Sequence, residues 1–249
     1  MMFFFKPKVI HLDCFTSNTS AYELFPIDYS HKFYPDWWKK LPKKIESEKS
    51  TKGFILTMKS CIGFTEFYQN SITIPLWTDL LIKTDQEKGY YDHFLSDNQT
   101  ILGLHLPEQM QGLFDTNKHI HIKIISPWVF KCKEDIRFTW TQPTWNFNPI
   151  DQILIPPAII DYKYQNGTNI NFFLSPKTAK QDTLLECGQP LVNISPMSER
   201  KIKIHNHLVT PEEMDKISWI NKQISFFGTY NKRRNILNKK DSKCPFGFK

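Results

Sequence analysis

The chain has 249 residues and a net charge of +7, and its length suits one large β domain or two small ones that need neither disulfide nor metal to fold. Aromatic residues make up 14% of it and 16 prolines stand against nine glycines, which favours strands joined by stiff connections. The five cysteines show no CxxC spacing and no apolar run reaches about 20 residues, which argues against disulfide frameworks, zinc ribbons and membrane-spanning helices.

The amino end and the cysteines predict a protein of a reducing compartment. Met1 to Phe5 is followed at once by Lys6, Pro7 and Lys8, whereas a secretory signal places its charges before a longer apolar stretch. We therefore expect a protein that is neither secreted nor associated with a membrane. Its cysteines are expected to be buried, reduced thiols.

Nearly all of the positive charge lies at the carboxyl end. Residues 232–249 hold seven Lys or Arg and one acid, a net charge of +6, which leaves +1 for the rest of the chain. The body therefore does not resemble a nucleic-acid-binding surface, whereas the tail is either a solvated basic terminus or a weak contact for nucleic acid. The candidate polyanion contacts are Lys232, Arg233, Arg234, Lys239 and Lys240.

Residues 33–52 place aromatic and basic side chains between Pro35 and Pro42, which confine any helix there to a single turn. Two adjacent tryptophans on such a turn diverge by about 100°, so one ring can be exposed and serve a binding surface. The alternative is that the rings pack and cap one end of the domain. The charged residues 43–52 predict a surface loop. The candidate binding residues are Trp37, Trp38, Lys39 and Lys40.

Short segments rich in β-branched and aromatic residues follow, separated by Pro, Gly and Asn. Ile72–Lys83 is interpreted as one strand with a bulge or an edge at Pro75. His119–Ile124 alternates most cleanly, with its histidines and lysine on one face and its isoleucines on the other. This pattern is typical of a mainly β protein, an antiparallel β-sandwich or barrel of jelly-roll type. Further strands are predicted near residues 128–132, 136–141, 153–155, 170–174, 191–195 and 201–204.

A helix is predicted after the last strand. Thr210, Pro211 and Glu213 supply an N-cap hydroxyl, a proline at the first helical position and a glutamate three residues after the cap. Residues 1–209 are therefore expected to form a β-rich globular domain, and residues 210–249 a C-terminal helix with a basic tail.

Two His-x-His pairs are the candidate metal ligands. His119 with His121, and His205 with His207, would each project from one face of a strand, where two imidazoles can hold one metal. A catalytic iron or zinc needs a third ligand, and no neighbouring carboxylate completes the pattern, while Lys123 on the same face would repel a cation. A polar strand face without a cofactor is the preferred interpretation. A non-haem iron or zinc enzyme that uses His119 and His121 is the alternative.

The sequence lacks the common enzyme signatures GxGxxG, Walker A, HExxH and GxSxG. Acid–base catalysis would need carboxylates that the fold brings together, and the sequence alone does not pair them. The candidate carboxylates are Asp79, Glu134, Asp135, Asp151, Asp161 and Glu186.

Six segments carry a family resemblance: YPDWWKKLPK at 34–43, TMKSCIGFTEFYQNSITIPLWTDLLI at 57–82, IISPWVFK at 124–131, TQPTWNF at 141–147, IPPAIIDYKYQNGTNINFF at 155–173 and CGQPLVNISPMSERK at 187–201. They resemble an uncharacterised family of tailed phages of marine bacteria, especially cyanophages, over most of the chain. The resemblance implies a phage origin and a shared β-rich fold, and it implies no activity.

A second, weaker resemblance concerns residues 159–164 and 188–191, which are similar to late motifs of dUTPase-like nucleotide-binding proteins. The phosphate-binding Arg-Ser-Ser and the C-terminal glycine-rich motif of that family are missing. The sequence thus favours a phage-encoded accessory or virion-associated protein that binds a protein of the particle or the host. We expect it in the host cytoplasm or the virion.

Overall fold

A computed structural model describes residues 9–87, 90–97, 100–105, 109, 119–146, 152–224, 231–232 and 234–235. These residues form a mainly β protein with a C-terminal helix, which confirms the predicted fold class. The helices are α1 (Thr19–Glu23), α2 (Asp36–Lys40), α3 (Ile62–Gln69) and α4 (Pro211–Ile224). The strands are β1 (Ile10–Thr16), β2 (Asp28–Tyr29), β3 (Lys44–Glu46), β4 (Phe54–Leu56), β5 (Ile72–Pro75), β6 (Leu80–Asp85), β7 (Tyr90–Leu95), β8 (Ile101–Leu104), β9 (Ile120–Cys132), β10 (Phe138–Thr141), β11 (Ile153–Leu154), β12 (Ala158–Ile160), β13 (Gly167–Leu174), β14 (Lys180–Leu185), β15 (Pro190–Pro196) and β16 (Ile202–Leu208).

Two sheets make up the body of the protein. The first has the order β11-β13-β9-β1-β16, with β8 also paired to β9, and the second has the order β12-β10-β15-β5-β2. A third sheet contains β14, β6 and β7, and β3 pairs with β4 in a separate hairpin. Among the described strand pairs only β1 and β16 run parallel.

One continuous cluster of buried side chains contains residues from the first, second and third sheets. Tyr162 links the first two, because its ring packs 4.9 Å from Phe130 of the first sheet and 5.0 Å from Phe138 of the second. Its buried hydroxyl accepts a hydrogen bond from Nε1 of Trp140 at 2.7 Å. The arrangement is that of a sandwich, and the described strands do not close into a barrel.

The longest strand joins two segments that the sequence predicts separately. β9 runs from Ile120 to Cys132, and its residues Ile122 and Ile124 face the core as their alternation predicts. One edge of β9 pairs with β8 at residues 122–125 and with β1 at residues 129–132. Residues 126–128 therefore face a gap between β8 and β1.

The prediction of one strand over Ile72–Lys83 is wrong. β5 ends at Pro75 and β6 begins at Leu80, and the two strands belong to different sheets. Residues 71–78 are all buried, so the hydrophobic pattern contains no sign of this change of sheet.

α4 begins as predicted. Thr210 N–H donates to Oε2 of Glu213 at 2.9 Å, and Glu213 N–H donates to Oγ1 of Thr210 at 3.2 Å, which confirms the capping box. Within the described part of the chain, no helix has the length and apolar character needed to cross a membrane. Of the basic tail, Lys232 and Arg234 are exposed. Three further tail candidates and one candidate carboxylate lie outside the described residues: Arg233, Lys239, Lys240 and Asp151.

The prediction of buried thiols is right for two of the four described cysteines. Cys14 and Cys132 are buried, whereas Cys61 and Cys187 are exposed. Burial raises the pKa of the Cys14 thiol, with a smaller contribution from the neighbouring Asp13, so Cys14 stays protonated. Cys244 lies outside the described residues.

Candidate binding surface

The single helical turn predicted between Pro35 and Pro42 forms as α2. At its amino end, the N–H groups of Trp38 and Lys39 donate to the carbonyl oxygen of Pro35. At its carboxyl end, Nζ of Lys59 donates to the carbonyl oxygens of Trp38 and Lys39 at 2.9 and 3.2 Å. Lys59 therefore supplies the donors that the end of a helix lacks, and its charge suits the negative end of the helix dipole.

Trp38 is half-buried and has a partner on its ring. It stacks on Tyr34 with 4.0 Å between ring centroids and an interplanar angle of 11°. The ammonium group of Lys59 lies 3.8 Å from the centre of the Trp38 ring, so the same lysine makes a cation–π contact. Phe64 of α3, only 4% exposed, lies 5.5 Å from the ring.

Trp37 is also half-buried but points to a different partner. Its Nε1 donates to the carbonyl oxygen of Trp145 at 2.8 Å, and its ring meets Phe64 edge-on at 5.9 Å. We call the side chains that meet here the aromatic cluster. It consists of Tyr34, Trp37, Trp38, Phe64, Tyr68 and Trp145.

Tyr68 attaches the aromatic cluster to the body. Its hydroxyl donates to Oδ1 of Asn146 at 2.9 Å, and Nδ2 of Asn146 donates to the carbonyl oxygen of Phe33 at 3.1 Å. Burial, with a smaller contribution from Tyr34, raises the pKa of Tyr68, so its hydroxyl remains a donor. Phe64 and Tyr68 are four residues apart, a spacing that indicates one face of a helix and that could have predicted α3.

The two candidate lysines of α2 are exposed, but large exposed apolar side chains lie further along the chain. Residues 43–52 are on the surface as predicted, yet residues 44–46 form β3 rather than loop, because they pair with residues 54–56 across a turn in which Gly53 has φ of 69°. Fourteen large apolar side chains are exposed among the described residues, and five of them lie within residues 45–62. These five are Ile45, Ile55, Leu56, Met58 and Ile62, with exposed fractions of 41, 44, 62, 40 and 73%.

We call residues 34–69 the α2–α3 segment. The segment holds seven lysines and four acidic residues, a net charge of +3, in a body whose net charge without the tail is only +1. The base of the hairpin is held by hydrogen bonds, since Thr57 N–H and the Ser60 hydroxyl both donate to the carbonyl oxygen of Lys43 at 3.1 and 3.2 Å. Lys59, between these two residues in the chain, lies over the Trp38 ring of the aromatic cluster. The segment thus presents apolar and basic side chains together.

His119 and His121, the candidate metal ligands, have different partners. His119 lies just before β9, with Nδ1 2.7 Å from Oγ of Ser175. His121 stacks between His105 and Phe173, at 4.2 and 4.5 Å between centroids. Burial lowers the pKa of His121, and His105 adds to the shift, so the ring is held neutral more strongly than usual.

The other histidine pair, His205 and His207, lies on β16, and its partners lie on the parallel strand β1. Nε2 of His205 lies 3.0 Å from Nδ1 of His11, and Nε2 of His207 lies 2.9 Å from Oδ1 of Asp13. The sequence predicts neither partner, because nearly 200 residues separate β1 from β16. The alternation of polar and apolar residues shows which face of a strand is buried, but it does not show which strand lies beside it. Across the ranges that the structure describes, no three His, Cys, Asp or Glu side chains group in a way that could hold a metal ion.

Three of the candidate carboxylates bond neighbouring groups of the fold. Glu134 accepts from the Cys132 thiol at 3.2 Å and from a backbone N–H, and Asp79 accepts from Cys187 N–H at 2.7 Å. Asp161 accepts from Lys163 N–H at 3.1 Å, and burial raises its pKa. These contacts give the three carboxylates a structural explanation.

No protein-family model matches this chain, and no curated protein matches it either. Function is therefore inferred from the surface of the molecule itself. The α2–α3 segment is the part of that surface where exposed apolar side chains and positive charge coincide.

Proposed function

We propose that this protein is a phage-encoded accessory or virion-associated protein that acts by binding another protein, and that the α2–α3 segment is its contact surface. The phage origin is inferred from the six resembling segments. The observation that carries the binding surface is the concentration of exposed apolar side chains within residues 45–62. Apolar groups gathered in this way are typical of interaction sites, whereas single exposed ones are ordinary.

The charge of the segment favours a partner with an acidic contact face. The segment that carries the exposed apolar side chains holds seven lysines against four acidic residues. Opposite charges at an interface speed the encounter of two proteins and disfavour wrong partners. We therefore propose a partner, in the particle or the host, whose contact face combines apolar side chains with Asp and Glu.

The aromatic cluster supports this function by fixing the surface in advance. Lys59 holds the end of α2, Tyr68 ties α3 to the body, and Lys43 accepts hydrogen bonds at the base of the hairpin. A surface that is already ordered loses less conformational entropy on binding. In this proposal Trp37 and Trp38 hold the surface in place, while the exposed side chains of the hairpin and the residues after it make the contact.

The proposal can be tested with a photo-crosslinking amino acid at Leu56, which is 62% exposed, during infection or in purified particles. The matched control is the same amino acid at Ile159, 56% exposed on β12 in the body. We expect one cross-linked protein at Leu56 and none at Ile159. Equal products at both positions would contradict a contact surface on the segment.

A charge-reversal variant tests the chemistry of the partner. Lys49 and Lys52 are exposed near the turn of the hairpin, so Lys49→Glu with Lys52→Glu should lower the cross-linking yield by repelling an acidic face. Lys131→Glu with Lys201→Glu changes two exposed lysines of the body and should leave the yield unchanged. A yield that is insensitive to the first pair rules out an acidic partner.

A further inference from the structure

The hairpin of β3 and β4 stands apart from the other sheets. Its strands pair with each other over residues 44–46 and 54–56, and no described strand pairs with either of them. The exposed Ile45 and Ile55 lie opposite each other on one face, and the exposed Leu56 lies on the other face. A two-stranded hairpin is only marginally stable in water, and a third strand stabilises it.

The hydrogen bonds at the two ends of the hairpin show which of its backbone groups point outward. Thr57 N–H donates to the carbonyl oxygen of Lys43 at 3.1 Å, and Ser47 N–H donates to the carbonyl oxygen of Gly53 at 3.0 Å. Hydrogen-bonded pairs alternate with non-bonded pairs along an antiparallel ladder, so the bonded pairs here are those of odd-numbered residues. The N–H and C=O groups of the even-numbered residues therefore point away from the other strand of the hairpin.

The even-numbered residues of β4 are Phe54 and Leu56. Their N–H and C=O groups form the outer edge of β4, and none of these groups has a hydrogen-bond partner among the described residues. Unpaired donors and acceptors in such a row are a template for another strand. We call this row of backbone groups the β4 edge.

The other edge of the hairpin is protected by charge. On β3 the outward-pointing residues are Lys44 and Glu46, and charged side chains on an edge strand hinder the addition of another strand. In contrast, the sequence from Gly53 to Met58 contains no charged residue. The β4 edge is therefore the one that suits strand addition.

The side chains around the β4 edge select the kind of strand. A strand beside β4 would meet Phe54 and Leu56 on one face and Ile55 on the other, so it needs apolar side chains on both of its faces. Lys49 and Lys52 are exposed near the turn of the hairpin and favour Asp or Glu on the added strand. A second copy of this chain lacks such complementarity, because it would bring the same net charge of +3 to the contact.

On the basis of the proposed function, we infer that the partner protein adds a short extended strand to the β4 edge. The N–H and C=O groups of Phe54 and Leu56 are its hydrogen-bond partners. The added strand carries apolar side chains on both faces and Asp or Glu beside the turn of the hairpin. In this mode of recognition the backbone supplies affinity, and the side chains supply specificity.

The test uses the full chain with the photo-crosslinking amino acid at Ile62, which is 73% exposed and lies outside the hairpin, during infection. Leu56→Pro removes one outward N–H, and proline is tolerated on an edge strand where that N–H would face solvent. Leu56→Ala shortens the same side chain but keeps the N–H. We expect the yield of cross-linked partner to be about three- to tenfold lower for Leu56→Pro than for Leu56→Ala, the effect of one lost hydrogen bond.

The matched control is Glu46→Pro, which removes an outward N–H from β3 and should leave the yield unchanged. A second measurement does not depend on how well a proline variant folds. In the unaltered chain bound to the captured protein, hydrogen exchange should slow at the amides of Phe54 and Leu56, and it should not change at those of Lys44 and Glu46.

The outcomes distinguish this inference from the proposed function. If the two Leu56 variants cross-link equally well, or if Glu46→Pro lowers the yield as much as Leu56→Pro, the inference is overturned while the contact surface stands. A second copy of this chain as the captured protein would overturn it as well. The absence of any cross-linked protein with the unaltered hairpin contradicts the proposed function, and the inference with it.

Discussion

The sandwich core and the α2–α3 segment use aromatic side chains in opposite ways. In the core, Tyr162 brings together rings from two sheets, and all of them are excluded from water. In the segment, Trp37 and Trp38 keep part of their surface exposed, and Lys59 lies directly on a ring. The core rings are fully buried, whereas the cluster rings lie beside exposed apolar side chains and, in our proposal, hold that surface in place.

This contrast shows that aromatic content alone does not indicate a core. A ring that stacks on its neighbours while one part meets water can combine stability with recognition, since it contributes contact area at a small loss of side-chain entropy. Three measurements test whether the two regions differ in this way, and a fourth concerns the tail, which lies outside both.

The largest expected effect comes from the core. Phe138→Ala removes a side chain that is 0% exposed, and we expect the free energy of unfolding to fall by about 3–5 kcal/mol in urea titrations followed by circular dichroism. Phe94→Ala, at a position that is 51% exposed, is the control and should change it little. Similar losses for the two variants would remove the distinction between core and surface rings.

The aromatic cluster should show an intermediate effect. Trp38→Ala removes a half-buried ring together with its stacking on Tyr34 and its contact with Lys59, and we expect a loss of about 2 kcal/mol in the free energy of unfolding. Trp37→Ala should have a comparable effect through its bond to Trp145. If neither variant loses more than about 1 kcal/mol, the cluster does not hold the segment, and Trp37 and Trp38 themselves become the best candidates for the contact.

Mild acid should affect the stability of the body and of the α2–α3 segment differently, because His121 lies in the body and residues 34–69 contain no histidine. Burial lowers the pKa of His121 in the folded state, so below about pH 6.5 the unfolded chain takes up a proton first. The free energy of unfolding then decreases as the pH falls from the pKa of His121 in the unfolded chain to its lower pKa in the folded protein. At a pH above the unfolded pKa, His121 does not change the stability. Denaturation curves between pH 8 and pH 5 should show a smaller loss for His121→Phe than for the exposed control His31→Gln. Parallel curves would contradict this assignment.

The smallest effect on stability is expected from the tail, which belongs to neither region. Removing residues 232–249 should leave the melting temperature within a few degrees, because terminal segments contribute little to folding. Retention on heparin should fall, since the truncation removes a net charge of +6. Unfolding of the shortened protein, or unchanged retention, would count against this prediction.

Short sequence patterns predicted several elements of the structure. The prolines confined α2 to one turn, Thr210 and Glu213 marked the start of α4, and the alternation of His119–Ile124 gave the inward face of β9. Each of these depends on residues within a few positions of one another. The sequence proposes α2 as the binding surface, whereas the exposed apolar side chains lie in the hairpin and the residues after it, and the binding role of both stays a prediction.

Other features had a weak local signal or none. The change of sheet between Pro75 and Leu80 is hidden in a continuous buried run, and the short α3 offers only Phe64 and Tyr68 as a helical pattern. For this reason the sequence did not predict that the rings of the aromatic cluster contact one another, although each of these aromatic residues is evident in the sequence.

Periodicity, capping and composition were enough to specify the fold class, the inward face of β9, the start of α4 and the placement of charge. The folded structure alone shows which strands pair, that His11 and Asp13 meet His205 and His207, and that Nε1 of Trp128 is buried without a hydrogen-bond partner among the described residues. A period of two specifies which side of a strand is buried and leaves its partner open. Partners are chosen by the packing of the whole core, in which residues more than 100 positions apart meet.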